Sequence, residues 1–135
     1  AAAHVEIERS YAPDVPRVFG NSGQLEHAIS QLVDNSITAM PTGGRLRLAV
    51  RAIEGELVAI DVVDTGRGIA PELLDKIFEP FFTTKDDWRG VGLGLALVHR
   101  IVEVHKGRIR ASSQLGAGTT MTVTLPAVRH GAHLA

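Results

Sequence analysis

The chain has 135 residues, 44% of them hydrophobic, with 14 basic and 15 acidic side chains and a formal net charge of −1. That suffices for one domain with a real core, and it is too apolar for a disordered chain. The balanced charge gives no electrostatic reason to bind nucleic acid or a membrane surface, no apolar run approaches the roughly 20 residues of a membrane span, and the absence of cysteine excludes disulfides and thiolate chemistry.

Residues 4–10 alternate apolar and polar, which predicts a strand. Pro13 and Pro16 mark a turn, and Arg17-Val18-Phe19 a second short strand. Asn21 or Ser22 can cap the helix that follows. Its Leu25, Ala28, Ile29, Leu32, Val33, Ser36, Ile37 and Met40 fall on one helical stripe, ended by Pro41-Thr42-Gly43-Gly44. Residues 45–53 and 56–63 read as a hairpin about Glu54-Gly55. Pro71 opens a short helix to about Lys76, and residues 80–92 have no period. A helix from about Leu93 to His105, stopped by Gly107, precedes two strands, 108–113 and 119–125, around Gly116 and Gly118.

The order ββαββααββ with mostly hairpin connections predicts an α+β fold. It should be a two-layer sandwich, a mostly antiparallel mixed sheet covered on one face by helices. One domain is expected over 1–135, with its core at about 4–126, no internal repeat and no dividing linker. No signal peptide is expected ahead of it. Ala1–Ala3 and HGAHLA at the other end read as loose ends.

Four motifs carry the chemistry: QLVDNSITAM at 31–40, DTGRGI at 64–69, FEPFFTTK at 78–85 and GVGLGL at 90–95. Gln31, Asn35 and Thr38 share a helix face beside the apolar stripe. An amide oxygen at Asn35 can ligate Mg²⁺, with phosphate oxygens and waters completing the shell. Asp64 ends an apolar strand and leads into Gly66 and Gly68, a turn where a ligand can approach the backbone. Its carboxylate can accept a hydrogen bond from the adenine amine, a donor that guanine lacks there. The glycines at 90, 92 and 94 let the chain approach phosphates, and the helix start beyond supplies free N–H groups. Phe78, Phe81 and Phe82 anchor the base of the following segment, whose Lys85 could meet an anion. GxGxG after a loop is not the dinucleotide GxGxxG, and GxxxxGK[ST] is absent. The histidines have no metal-site spacing.

Together these motifs resemble the Bergerat-type ATP-binding fold of sensor histidine kinases, gyrase-type topoisomerases, mismatch-repair ATPases and a heat-shock chaperone. The likeness is greatest to the catalytic domain of bacterial two-component sensor kinases, over about residues 5–126. The resemblance implies ATP and Mg²⁺ as cofactors. It makes Asn35 the metal ligand of an N box, with Gln31 one turn before it as a second amide for the metal, and Asp64 the adenine reader of a G1 box with Gly66, Gly68 and Ile69. Phe78 and Lys85 fall in an F box, and Gly90, Gly92, Leu93, Gly94 and Leu95 in a G2 box. Thr119 and Thr120 close the site beside adenine.

Family kinases usually carry Asn where this chain has Gln31, and the gyrase-like branch carries a Glu base. Gln cannot take a proton from water, which suits transfer to another nucleophile. Catalysis then rests on Asn35, Gln31 and Lys85, and the acceptor histidine must lie on a separate helical dimerisation domain. None of His4, His27, His99, His105, His130 and His133 has the acceptor's context. The implied partners are that domain and a response regulator, with no nucleic acid and no membrane contact by this domain, in a cytoplasmic setting. The alternatives are a serine kinase of the anti-sigma-factor type and a nucleotide-binding module without transfer activity.

Overall fold

Helix α1, Ser22–Thr38, starts where the sequence predicts, because the Asn21 side-chain oxygen accepts the Gln24 N–H at 2.9 Å. A second clasp comes from far along the chain. His105 Nε2 accepts the Asn21 N–H at 3.0 Å, so its proton sits on Nδ1, which donates to the Ile101 carbonyl at 2.7 Å. The ring thereby ties the start of α1 to the end of α2, Gly94–Val104. The computed structural model describes residues 4–54, 56–79 and 94–128.

Among the described residues five strands form one sheet: β1 Val5–Tyr11, β2 Gly44–Ile53, β3 Leu57–Asp64, β4 Arg108–Gln114 and β5 Gly118–Pro126, in the order β1-β2-β3-β5-β4. β1 pairs parallel to β2 across the α1 crossover, and the remaining pairs are antiparallel. The two-layer α+β prediction is borne out. One face packs Leu46, Val62, Met121, Val123 and Leu125 against Ala28 and Leu32 of α1 and Val98, Ile101 and Val102 of α2. Burying several such side chains at about 1.5–3 kcal/mol each drives this packing, since aromatics are few.

Local expectations differ at three points. Residues 17–19 make a single bridge, Val18 to Ala127, instead of a strand; Pro16 just before them has no N–H to give a ladder. The helix at Pro71 is one 3₁₀ turn, Pro71–Leu73, followed by turns. At the end of α2 it is Lys106, with φ 63°, that takes the left-handed position, and the Gly107 N–H bonds the Val102 carbonyl at 2.9 Å. Gly107 is needed for another reason, since a Cβ there would collide with the Thr124 carbonyl of β5.

The helix-free face is held by a polar cluster on β2, β3 and β5. Asp61 Oδ2 accepts the Arg51 Nε–H at 2.8 Å, and its Oδ1 accepts the Thr122 hydroxyl at 2.8 Å. Burial pushes the Asp61 carboxyl up. The hydrogen bonds from Arg51 and Thr122, with the charges of Arg51 and Arg47, outweigh it and hold the carboxyl below its usual range. A depressed folded value means a stabilisation present above the unfolded value near about 4 and lost as pH falls through the lower folded value. Because Arg51 is half exposed, Asp61→Asn should cost only about 1 kcal/mol at neutral pH. Urea unfolding should show that gap narrowing below about pH 4; a gap constant with pH would refute the assignment.

Candidate functional site

Asp64 is the last residue of β3, 5% exposed, on the helix-covered face. Its Oδ1 accepts the Gly66 N–H at 2.8 Å, which folds the turn back on the carboxylate. Among the described residues no fully buried side-chain polar atom lacks a partner. The second oxygen, which takes no such bond, therefore opens to solvent and is free for a ligand.

The turn is pinned by its surroundings. Thr65 Oγ1 accepts the Arg45 N–H at 3.0 Å, and the Arg67 N–H reaches the Ala39 carbonyl beyond α1 at 3.1 Å. On the far side the Gly116 N–H bonds the Arg67 carbonyl at 2.8 Å. Gly68, at φ 77°, lies so close to β4 that a Cβ would collide with the Gln114 carbonyl. The two glycine turns, 64–69 and 115–118, thus interlock, and Gly68 and Gly118 make that close approach possible, since a Cβ at 118 would collide with the Asp64 carbonyl.

Register places Asp64 opposite Thr119, and Thr119 opposite Ser113. Ser113 Oγ meets Thr119 Oγ1 at 2.8 Å, donates to the Gly118 carbonyl at 2.9 Å and accepts the Ile69 N–H at 2.7 Å. A hydroxyl has one proton, and that of Ser113 is on Gly118. Thr119 must then donate to Ser113, which leaves its own lone pairs beside Asp64. Sequence reasoning missed Ser113. A signal existed, because Ile109, Ala111 and Ser113 share the inward parity of β4 and a hydroxyl there needs partners. Thr120 is not part of this row. It lies one residue on, on the helix-free face, opposite Val63 and Ser112.

α1 supplies the second wall. Asn35 is half-buried, and among the described residues its side-chain amide makes no hydrogen bond. Gln31, one turn earlier, is also half-buried, and its amide packs directly on Gly94, the first residue of α2. A Cβ at 94 would collide with Gln31 Nε2. The structure therefore joins the helix bearing Asn35 to α2 at Gly94. Ile69, Phe78 and Leu95 are partly buried against the core. The Phe78 ring also rests on His99, centroids 5.5 Å apart, as expected of an anchor. Lys85, Phe81, Phe82, Gly90, Gly92 and Leu93 lie outside the described residues.

Among the described residues no cluster of three His, Asp or Glu side chains could hold a metal. A magnesium ion that keeps phosphate oxygens and waters needs only one or two protein ligands. The free Asn35 amide, one helical turn after the Gln31 that packs on Gly94, fits that requirement.

Residues 20–129 match the family model described as histidine kinase-, DNA gyrase B-, and HSP90-like ATPase. The chain is 35% identical to Sporulation kinase E of Bacillus subtilis (strain 168), over 92% of this chain and 16% of that protein. It spans between 14% and 24% of the length of the first curated relatives it matches. Among solved structures, the mycobacterial sensor histidine kinase MprB superposes with a TM-score of 0.80 at 31% identity, covering 91% of this chain and 82% of that one. Full-length ShkA in complex with AMPPNP superposes with a TM-score of 0.82 at 29% identity, over 92% of this chain and 26% of that one.

Proposed function

The chain belongs to the histidine kinase-, DNA gyrase B- and HSP90-like ATPases, on the sensor histidine kinase branch, and from that premise we propose that it binds ATP–Mg²⁺ and donates the γ-phosphoryl group to a histidine on a separate helical domain. The observation that carries this reading is the row Asp64–Thr119–Ser113, a buried carboxylate with one oxygen committed to its own turn and the other open. It lies in the same fold as an uncommitted amide at Asn35. ShkA, which shares the fold, is described in complex with an ATP analogue.

The open oxygen of Asp64 accepts the adenine amine, and Thr119 presents lone pairs beside it. The Gly68 turn brings backbone close to the base. The start of α2 offers N–H groups to the phosphates, and Gly90, Gly92, Leu93 and Lys85 of the motifs ahead of it in the chain are assigned to phosphate binding with it. Asn35 would hold Mg²⁺ with Gln31 beside it; the ion supplies neutralisation of phosphate charge. The acceptor imidazole nitrogen attacks the γ-phosphorus, the bond to the bridging oxygen breaks, and ADP leaves. The proton of the imidazole goes to a base on the acceptor domain, because Gln31 is an amide and cannot take it. The chain's contribution is positioning and charge neutralisation. The phosphoryl group then passes to an aspartate of a response regulator. No helix among the described residues is long and apolar enough to cross a membrane, and a cytoplasmic setting is part of this proposal.

The test mixes the chain with an acceptor-histidine domain of a related kinase and γ-labelled ATP. Label that is transferred and lost in acid supports the reading. Acid-stable label points to a hydroxyl acceptor, as in the anti-sigma-factor type of kinase, and ATP binding without any transfer points to a binding module. Either result overturns the proposal.

A further inference from the structure

The face of the sheet without helices carries an asymmetric charge pattern. Alternation places Arg45, Arg47 and Arg51 of β2, Asp61 of β3, and Arg108 and Arg110 of β4 on it, with Glu6 and Glu8 at the β1 edge. Among the described residues five arginines thus stand against three carboxylates, in a chain whose formal net charge is −1. The carboxylates are not spread evenly. Glu6 lies 3.6 Å from Arg45, and Asp61 lies 2.8 Å from Arg51. Arg47, Arg108 and Arg110 form no ion pair among the described residues and are exposed. Arg108 and Arg110 project from the same side of edge strand β4, about 7 Å apart, and β2 lies three strand spacings away, about 14 Å. Between them runs a row of hydroxyls, Thr120, Thr122 and Thr124, facing the same way.

The chemistry of this face selects among anionic partners. Every exposed large apolar side chain among the described residues lies elsewhere, so nothing here would insert into lipid. Among the described residues the face has no aromatic ring on which a base could stack. Glu6, Glu8 and Asp61 would repel a continuous phosphate array. A protein surface can instead place most of its carboxylates opposite Arg108 and Arg110, away from the acidic edge, and meet Arg47, whose neighbour on β1 is Glu8, with a single one.

We propose that the helix-free face of the sheet is a docking surface for a carboxylate-rich protein surface, gripped by Arg108 and Arg110 at the β4 edge with Arg47 as the third contact. Guanidinium groups suit this use, because their planar fork meets a carboxylate through two parallel hydrogen bonds. The face is opposite the one that carries Asp64 and Thr119, so a partner could sit here without covering them. The proposal does not depend on the nucleotide reading.

The probe is a fluorescently labelled decaglutamate peptide, titrated with the full chain at low salt and again at physiological salt. Binding should be measurable at low salt and weaken as salt screens it. Arg108→Glu with Arg110→Glu should weaken it at least about tenfold, and Arg47→Glu alone should weaken it by several fold. Arg9→Glu with Arg100→Glu makes the same change in net charge on the helix-covered side and should stay within about twofold of the unmodified chain. Thermal unfolding midpoints confirm that each variant is folded; Arg47→Glu supplies the reading if the double change on β4 unfolds. Equal losses in both double variants, or no binding at low salt, would overturn the proposal. So would tighter binding to phosphatidylglycerol vesicles or duplex DNA than to the peptide.

Discussion

Asp64→Asn is expected to weaken ATP binding by about 1.5–3 kcal/mol, roughly tenfold to more than a hundredfold, the range for a lost hydrogen bond to a charged group. The geometry gives the reason. Asp64 offers two acceptor oxygens, and one is already used by the Gly66 N–H at 2.8 Å. Asparagine has one acceptor and one donor group. If its oxygen keeps the Gly66 bond, its NH₂ points at the adenine amine, donor against donor. If it turns its oxygen to adenine, the same conflict moves onto the turn. Neither orientation serves both partners. GTP should bind poorly to the unmodified chain, because guanine presents a carbonyl where adenine has its amine. Calorimetric titration of both nucleotides checks this. Equal affinities for ATP and GTP, or an undiminished ATP affinity in the variant, would remove Asp64 from the role of base reader.

The second large effect separates chemistry from folding. Asn35→Ala should reduce phosphoryl transfer to an acceptor domain by about 10²–10³, the usual loss when one preorganised electrostatic partner is removed. Its stability should stay level or rise slightly. Asn35 is half-buried, and its side chain makes no hydrogen bond among the described residues. Position 35 lies inside α1, where Ala is a better helix former than Asn by about 0.5 kcal/mol. The Ala28, Leu32 and Ser36 positions that fasten α1 to the core are untouched. A variant that melts no lower yet transfers no phosphate would separate fold from site at one residue. Full transfer activity would refute the assignment, and a large drop in melting temperature would mean that Asn35 is structural. Nucleotide titrations with magnesium and with a chelator add a further check, since the variant should lose most of the magnesium dependence.

Much of this protein was determined by local sequence. The α1 cap at Asn21, the apolar stripe behind it, the β2–β3 hairpin and the last two strands all follow from periodicity and turn chemistry, which act over a few residues. The four motifs are legible for the same reason, because each is a short run of residues close together in the chain. Thr119 was separable from Thr120 in principle. Met121, Val123 and Leu125 face the core, so strand alternation puts Thr119 inward and Thr120 outward. Tertiary structure decided everything that depends on which strand lies beside which. β1 pairs parallel with β2, and β3 finds β5 instead of its sequence neighbour β4. Ser113 becomes part of the row beside Asp64 only through that second pairing. His105 reaches Asn21 across 84 positions. Five arginines on two strands become one face only in the assembled sheet. Local propensity reports how a segment is shaped and which side it hides. The partner it hides that side against is chosen by the burial of all the segments at once, and residues far apart in the chain carry no local trace of that choice.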